Sequence, residues 1–235
     1  MRFSIEKRVN RLISAVVLLA LCAIQTPAQK RMKDASRHSN EAAEVFTDIM
    51  NVKEKAIPKE LLDKAEAVAI FPGVIKAAFI IGGRGGQGLI SRRIHGGWGE
   101  PVFFNLGGGS FGAQIGAEKT DYVFLIMNDD GINGLLKDKF ELGGEAGVAA
   151  GPVGREAAAS TNPRLAAGIL SYSRTKGAFI GAAIKGAVIS PDNDLNEAVY
   201  GKDARGLLTG KPMTLTQMPA EVRIVPRTLA RYSVR

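Results

Sequence analysis

The sequence predicts an α+β protein: a glycine-rich, strongly bent, mostly antiparallel β-sheet or small barrel, preceded by N-terminal amphipathic helices. Three observations predict it. Apolar residues at helical spacing fall near the N-terminus, and short β-type segments fill residues 74 to 190. The chain holds 28 glycines, against roughly 16 expected at a frequency of about 7%, and most lie among those segments. Too few helices alternate with the strands for a doubly wound sheet.

The first 28 residues read as a signal peptide. Arg2, Lys7, Arg8 and Arg11 form a basic start, and LISAVVLLALCAI is apolar but short for a bilayer span. Thr26-Pro27-Ala28 offers small residues for cleavage after Ala28. Acylation of Cys22 and retention as an uncleaved anchor are the alternatives; Leu21 stands where a lipoprotein signal wants a small residue. Cys22 is the single cysteine, so the body has no thiol for a disulfide, a zinc site or a nucleophile. That suits export to the periplasm or the outer surface.

Residues 29 to 55 form an amphipathic helical segment, with Ala42, Val45, Phe46, Ile49 and Met50 on one face. Pro58 opens a short second helix, KELLDKAEA, burying Leu61, Leu62 and Ala65. The run VAIF then meets Pro72-Gly73, which reads as a turn. Beyond it AAFII, GLISRRI, PVFFNL, FGAQIG, YVFLIM, GVAAG, ILSYS and AFIGAAI with AVIS read as strands. GINGLLKDKF reads as a helical interruption after Asn128-Asp129-Asp130. Lys76 to Ser91 faintly resembles Lys176 to Ser190, a similarity that glycine bias explains by chance. The glycine-rich domain is placed at 56 to 210 and a basic C-terminal segment at 211 to 235.

Charge is uneven along the chain. Removing residues 1 to 28 lowers the net +8 to +5. Residues 29 to 39 carry Lys30, Arg31, Lys33 and Arg37 against Asp34, a net of +3, and residues 202 to 235 carry +5. The middle is therefore slightly acidic. Basic ends on an acidic body fit an anionic membrane surface better than nucleic acid, although basic residues at frayed ends also serve solubility.

Catalytic motifs are poorly supplied. Gly83-Arg84-Gly85-Gly86-Gln87-Gly88 fits G-x-G-x-x-G, but a strand follows it where a pyrophosphate needs a helix N-terminus. These glycines read as structural, in a tight turn or bulge. His38 and His95 stand in no ligand spacing, no serine has a histidine base, and Asp129, Asp130, Asp192 and Asp194 suit capping better than cation binding. No enzyme activity, cofactor or metal is expected. Arg84, Arg92 and Arg93, near Lys76, form a second candidate phosphate-binding patch, although Arg92 and Arg93 point to opposite faces of a strand. Trp98 reads as a core plug.

The ordered blocks IPKELLDKAEAVAIFP, KAAFIIGGRGGQGLISRR, GGWGEPVFF, GAQIGAEKTDYVFLIMN, AGPVGR, SYSRTKGAFIGAAIKGAVIS and NEAVYG resemble the SYLF domain over about Ser39 to Gly210. The resemblance implies a domain that binds membrane lipids, notably phosphoinositides in eukaryotic members, through an N-terminal amphipathic segment and basic residues. Some eukaryotic members contact actin. This sequence lacks their SH3 or FYVE modules, and an export signal separates it from cytosolic actin, so anionic lipid is the expected partner. The candidate lipid-binding residues are Lys30, Arg31, Lys33, Arg37, Arg84, Arg92 and Arg93. An envelope structural or protein-interaction domain is the alternative. An apolar cavity with its mouth beside Lys30 to Arg37 would point to lipid capture rather than surface attachment.

Overall fold

A computed structural model describes residues 27–52, 56–78, 81–111, 116–143, 147–153, 167–175, 178–181, 184 and 186–233. Residues 1–26 of the expected leader, with Cys22, the end of the amphipathic segment at 53–55, and parts of the AAFII, FGAQIG and AFIGAAI segments lie outside the described residues.

Among the described residues nine strands form one sheet: β1 (Ala67–Ala78), β2 (Ile81–Ile94), β3 (Gly97–Phe111), β4 (Gly116–Ile126), β5 (Phe140–Leu142), β6 (Val148–Ala150), β7 (Ile169–Thr175), β8 (Ala178–Gly181) and β9 (Ala187–Pro191). The order is β5-β9-β3-β2-β1-β4-β7-β6, with β8 also paired to β7. Every pairing is antiparallel except β6 with β7. The sheet curls until it is nearly closed, as the glycine content leads one to expect. In the faint repeat, β1 and β2 pair with each other while β8 and β9 pair elsewhere. The described parts of the two copies are strands that pair differently.

Both faces of the sheet are buried, and the period of two sorts the side chains between them. Ala67, Ala69 and Phe71 of β1 join Ile90, Val102, Phe104, Phe124, Phe140 and Ile189 in one cluster, drawn from strands on both sides of the curl. Val68 and Ile70 turn the other way and join Leu89, Phe103, Val123 and Leu125 in a second cluster. Helices cover that second face.

Helix α1 (Pro27–Met50) does most of the covering, with α2 (Lys59–Lys64) and α6 (Ile224–Tyr232) beside it; α3 (Asp129–Leu135), α4 (Asn193–Tyr200) and α5 (Ala204–Thr209) complete the set. The apolar face of α1 buries Ala35, Ala42, Ala43, Val45, Phe46 and Ile49. Fully burying Val45, Phe46 and Ile49 contributes roughly 5 to 8 kcal/mol as an upper value. The C-terminal segment is folded rather than frayed. Val222, Val225 and Leu229 join the α1 cluster, and Tyr232 meets Phe46 edge to face at 5.7 Å. Of the four aspartates expected to cap, Asp192 does so, accepting from Leu195, while Asp129, Asp130 and Asp194 lie in first turns; Asn128 and Asp203 are the other caps, accepting from Gly131 and Gly206.

Pro72-Gly73 is not a turn. Strand β1 runs through it, and the pair adds one residue to β1 relative to both β2 and β4. A bulge uses the same chemistry as a turn, because Pro72 has no N–H to leave unpaired and Gly73 adopts φ +56°. The Gly73 N–H donates to Asp121 Oδ1 at 2.7 Å.

The glycines of Gly83 to Gly88 lie in the middle of β2, opposite this bulge. A Cβ on Gly88 would stand 2.3 Å from the carbonyl oxygen of Ile70 and 2.5 Å from the Phe71 ring, whereas one on Gly85 meets nothing within 4 Å. Gly88→Ala is expected to destabilise by about 3 kcal/mol, through forced backbone movement, and Gly85→Ala by less than about 0.5 kcal/mol. Urea unfolding of both variants checks this; equal losses would contradict the close-approach account.

Candidate functional site

The first two turns of α1 stand clear of the barrel. From Pro27 to Asp34 no residue is buried, and the first buried side chain is Ala35. Lys30, Arg31 and Lys33 are exposed there with Arg37 one turn on. Arg31 meets Asp194 of α4 at 3.5 Å, with both side chains largely in solvent. Arg37 lies 3.5 Å from Asp34 and 3.6 Å from Glu41, the i,i+3 and i,i+4 spacings of one helix face. Such exposed pairs contribute little to stability and leave the cations available to another anion.

Beyond Arg37, α1 crosses the sheet over an open cleft of about 690 Å³. Ile75, Gly85, Gly86 and Gln87 line its sheet side with Lys119, Asp121 and Arg174, and His38, Glu41 and Glu44 line its helix side. Arg174 pairs with Asp121 at 2.8 Å and with Asp48 of α1 at 2.7 Å, fastening the helix to β4 and β7. Three cations face three carboxylates, so the cleft is polar and balanced. It is not an apolar cavity for an acyl chain.

His38 is 3% exposed at this interface, tilted against Phe103 at 6.5 Å. Its Nε2 lies 3.2 Å from Arg37 Nη2. A guanidinium only donates, so Nε2 accepts and the neutral ring carries its proton on Nδ1. That Nδ1 is buried without a partner among the described residues. Burial first, and the Arg37 charge second, hold the imidazole below its ordinary pKa.

The other three candidate arginines do not join this group. Arg84 sits opposite Lys76 on β1 and Gly108 on β3, half-buried, with Nε unbonded among the described residues. Arg92 lies eight residues further along β2 and donates through Nη1 to the Leu208 carbonyl of α5 at 2.7 Å. Arg93 turns the other way, as strand alternation requires, and donates to the Leu62 and Ala65 carbonyls at the end of α2. Its guanidinium also covers the Trp98 ring at 3.9 Å, and Trp98 is itself a buried plug. Arg92 and Arg93 thus make intramolecular contacts at the opposite end of β2 from Arg84.

Sequence reasoning passed over Lys119, Asp121 and Arg174. They are brought together by the β4–β7 register, in which Asp121 faces Arg174, and no local spacing announces that. His38 carried a readable signal: it shares the helix face of Ala35, Ala42 and Ile49. The candidate nucleotide glycines present only strand backbone, with no helix N-terminus after them.

A sequence profile for the family described as Ysc84, Las17-binding protein actin regulator, matches residues 107–232. The chain is similar to LAS seventeen-binding protein 3 of Saccharomyces cerevisiae, 31% identical over 196 residues, which cover 80% of this chain and 42% of the yeast protein. It is also similar to SH3 domain-containing YSC84-like protein 1 of Xenopus laevis, 28% identical over 218 residues, 90% of this chain and 65% of that protein. The mouse protein of the same name is 29% identical over 186 residues, 77% of this chain and 54% of its own length. The chain thus spans between 42% and 65% of these relatives. The family match runs from the end of β3 to the C-terminal helices, and the chain belongs to the Ysc84, or SYLF, family.

Proposed function

We propose that this chain is a non-catalytic, peripheral lipid-binding protein that holds anionic phospholipid headgroups by surface attachment. The observation that carries the reading is the projecting start of α1, where Lys30, Arg31 and Lys33 are exposed and, among the described residues, the solvent-accessible carboxylates Asp34, Glu41 and Asp194 pair with Arg31 and Arg37. The polar lining of the cleft favours attachment over acyl-chain capture. The apolar face of α1 is a poor insertion device. Moving it from barrel to bilayer exchanges one apolar setting for another and bares the sheet beneath. Arg84, beside Lys76, is the second point where a phosphate would find a guanidinium with spare donors.

Flotation with phosphatidylcholine vesicles, with and without phosphatidylglycerol, tests the reading. Binding is expected only with the anionic lipid and is expected to fall as salt rises. Equal binding to both vesicles would remove it.

A second reading rests on the family description and the yeast relative's name, which speak of an actin regulator and of binding to Las17. By analogy the domain would bind an acidic protein surface, and the actin contact of some relatives would extend to this chain. Binding to such a protein with no binding to vesicles would favour it.

We also propose that the chain is exported to the periplasm or outer surface and that the mature form begins at Gln29. The basic, then apolar, then small-residue order of residues 1 to 28 supports this. The intact mass of the exported protein is expected to start at Gln29. A diacylated Cys22 terminus would show the lipoprotein route instead.

A further inference from the structure

We propose that His38 is a proton-operated latch on the basic arm: protonating its imidazole releases α1 from Pro27 to about Glu41, while Ala42 to Ile49 stay docked. The released arm presents Lys30, Arg31, Lys33 and Arg37 to an anionic surface. This last step rests on the lipid reading above; the latch itself does not.

The burial of the imidazole carries the argument: docking places the His38 ring, 3% exposed, against Phe103 with Nδ1 unpartnered among the described residues. In the docked helix His38 Nε2 accepts from Arg37, which is possible only while that nitrogen has no proton. Protonation turns it into a donor facing a donor and places a charge on a buried ring beside the half-exposed Arg37. Nδ1 has no acceptor among the described residues to compensate. The groups that face the ring are Arg37, Glu41 and Asp34 on its own helix and Asp192 at the start of α4. The strand side offers Phe103, which is uncharged. The three carboxylates favour the charged ring, but burial and Arg37 outweigh them.

The arm is the part of α1 that can open alone. Its buried side chains are Ala35, His38 and Ser39, whereas Val45, Phe46 and Ile49 all lie in the following turns. Between Pro27 and Glu41 the ties to the rest of the fold include the small buried side chains of Ala35 and Ser39, the His38 ring and a solvent-exposed ion pair from Arg31 to Asp194. A segment so held opens by local unfolding without the barrel.

The sign follows from linkage. In the open arm the imidazole titrates near its ordinary value of 6.5, and in the docked arm below it. Opening therefore takes up a proton between those values. Docking is fully favoured above about pH 6.5, weakens as pH falls through the window, and levels off below the docked value.

Hydrogen exchange of the full chain at pH 7.5 and 5.0, corrected for intrinsic rates, tests the latch. Wild type is expected to lose protection in residues 27 to 41 at the lower pH, by the factor by which the open arm binds the proton more tightly than the docked arm. No protection should be lost in 42 to 50. His38→Phe keeps a ring beside Phe103 and cannot be protonated, so its protection should not change with pH. Arg37→Gln removes the neighbouring charge and should move the wild-type midpoint to higher pH. It decides the matter if His38→Phe fails to fold. Constant protection in wild type, the same loss in His38→Phe, or an unmoved midpoint in Arg37→Gln overturns the latch. Phosphatidylcholine vesicles containing phosphatidylglycerol form the second arm. Exchange that changes with pH while vesicles never bind keeps the latch and removes the lipid reading. Binding at both pH values with constant exchange does the reverse.

Discussion

Arg93→Ala should lower the stability of the protein by about 2 to 4 kcal/mol, because it removes several hydrogen bonds from a part-buried charged group. Arg93 Nε donates to the Ala65 carbonyl at 2.9 Å, and Nη2 donates to the Leu62 carbonyl at 2.7 Å and to Ser233 Oγ at 2.9 Å. Those carbonyls belong to the C-terminal end of α2, where a cation complements the helix dipole. Ser233 Oγ passes the contact on by donating to Asp63 at 2.6 Å. The Ser233 carbonyl accepts from Trp98 Nε1 at 3.0 Å. One guanidinium thus joins α2, the β2–β3 hairpin and the end of α6. Truncation leaves carbonyls without their donor and uncovers the Trp98 face, each with a cost of its own. Arg93→Lys keeps the charge but loses the fork, so an intermediate loss is expected. Urea unfolding with an unchanged slope gives the number; a loss under about 1 kcal/mol would mean that the network is redundant.

The same residue shows why the sequence was only partly legible. Alternation placed Arg92 and Arg93 on opposite faces, and the structure agrees. Yet the partner of Arg93 at Ser233 lies 140 positions away, beyond any local pattern, so a residue central to the fold resembled an exposed surface cation. Helix α1 was legible because Ala42, Val45, Phe46 and Ile49 recur at helical spacing. Its destination was not, since a barrel and a bilayer ask for the same stripe. Pro72-Gly73 was misread because a bulge and a turn share residue chemistry. The C-terminal helices escaped notice for a related reason. Their apolar anchors, such as Val222, Val225 and Leu229, are few and interrupted by Pro219 and Pro226, so positive charge dominated the reading. Pro226 falls in the first turn of α6, where proline is tolerated.

Of the candidate site, the four basic residues of α1 were visible in the sequence as a charge run. The structure adds that they lead a helix whose later turns are anchored, so an exposed start is joined to a fixed base. His38 stands where the two parts meet, and nothing in its sequence neighbourhood gives the ring orientation that makes Nε2 an acceptor.

The basic arm is the centre of the functional account, and replacing Lys30, Arg31, Lys33 and Arg37 together by glutamine tests it most directly. Each cation near an anionic surface contributes about 1 kcal/mol before screening, so the four together supply roughly 3 to 4 kcal/mol. Asp34 and Glu41 hold Arg37 in part, which places the expected loss near the lower figure. At low salt the quadruple variant should therefore bind phosphatidylglycerol-containing vesicles about a hundredfold more weakly than wild type. The residual binding should also depend less steeply on salt. Stability should change little, because the arm ahead of Ala35 buries nothing. A variant that binds these vesicles as tightly as wild type, with the same salt dependence, would contradict the account and move attention to Arg84 and Lys76.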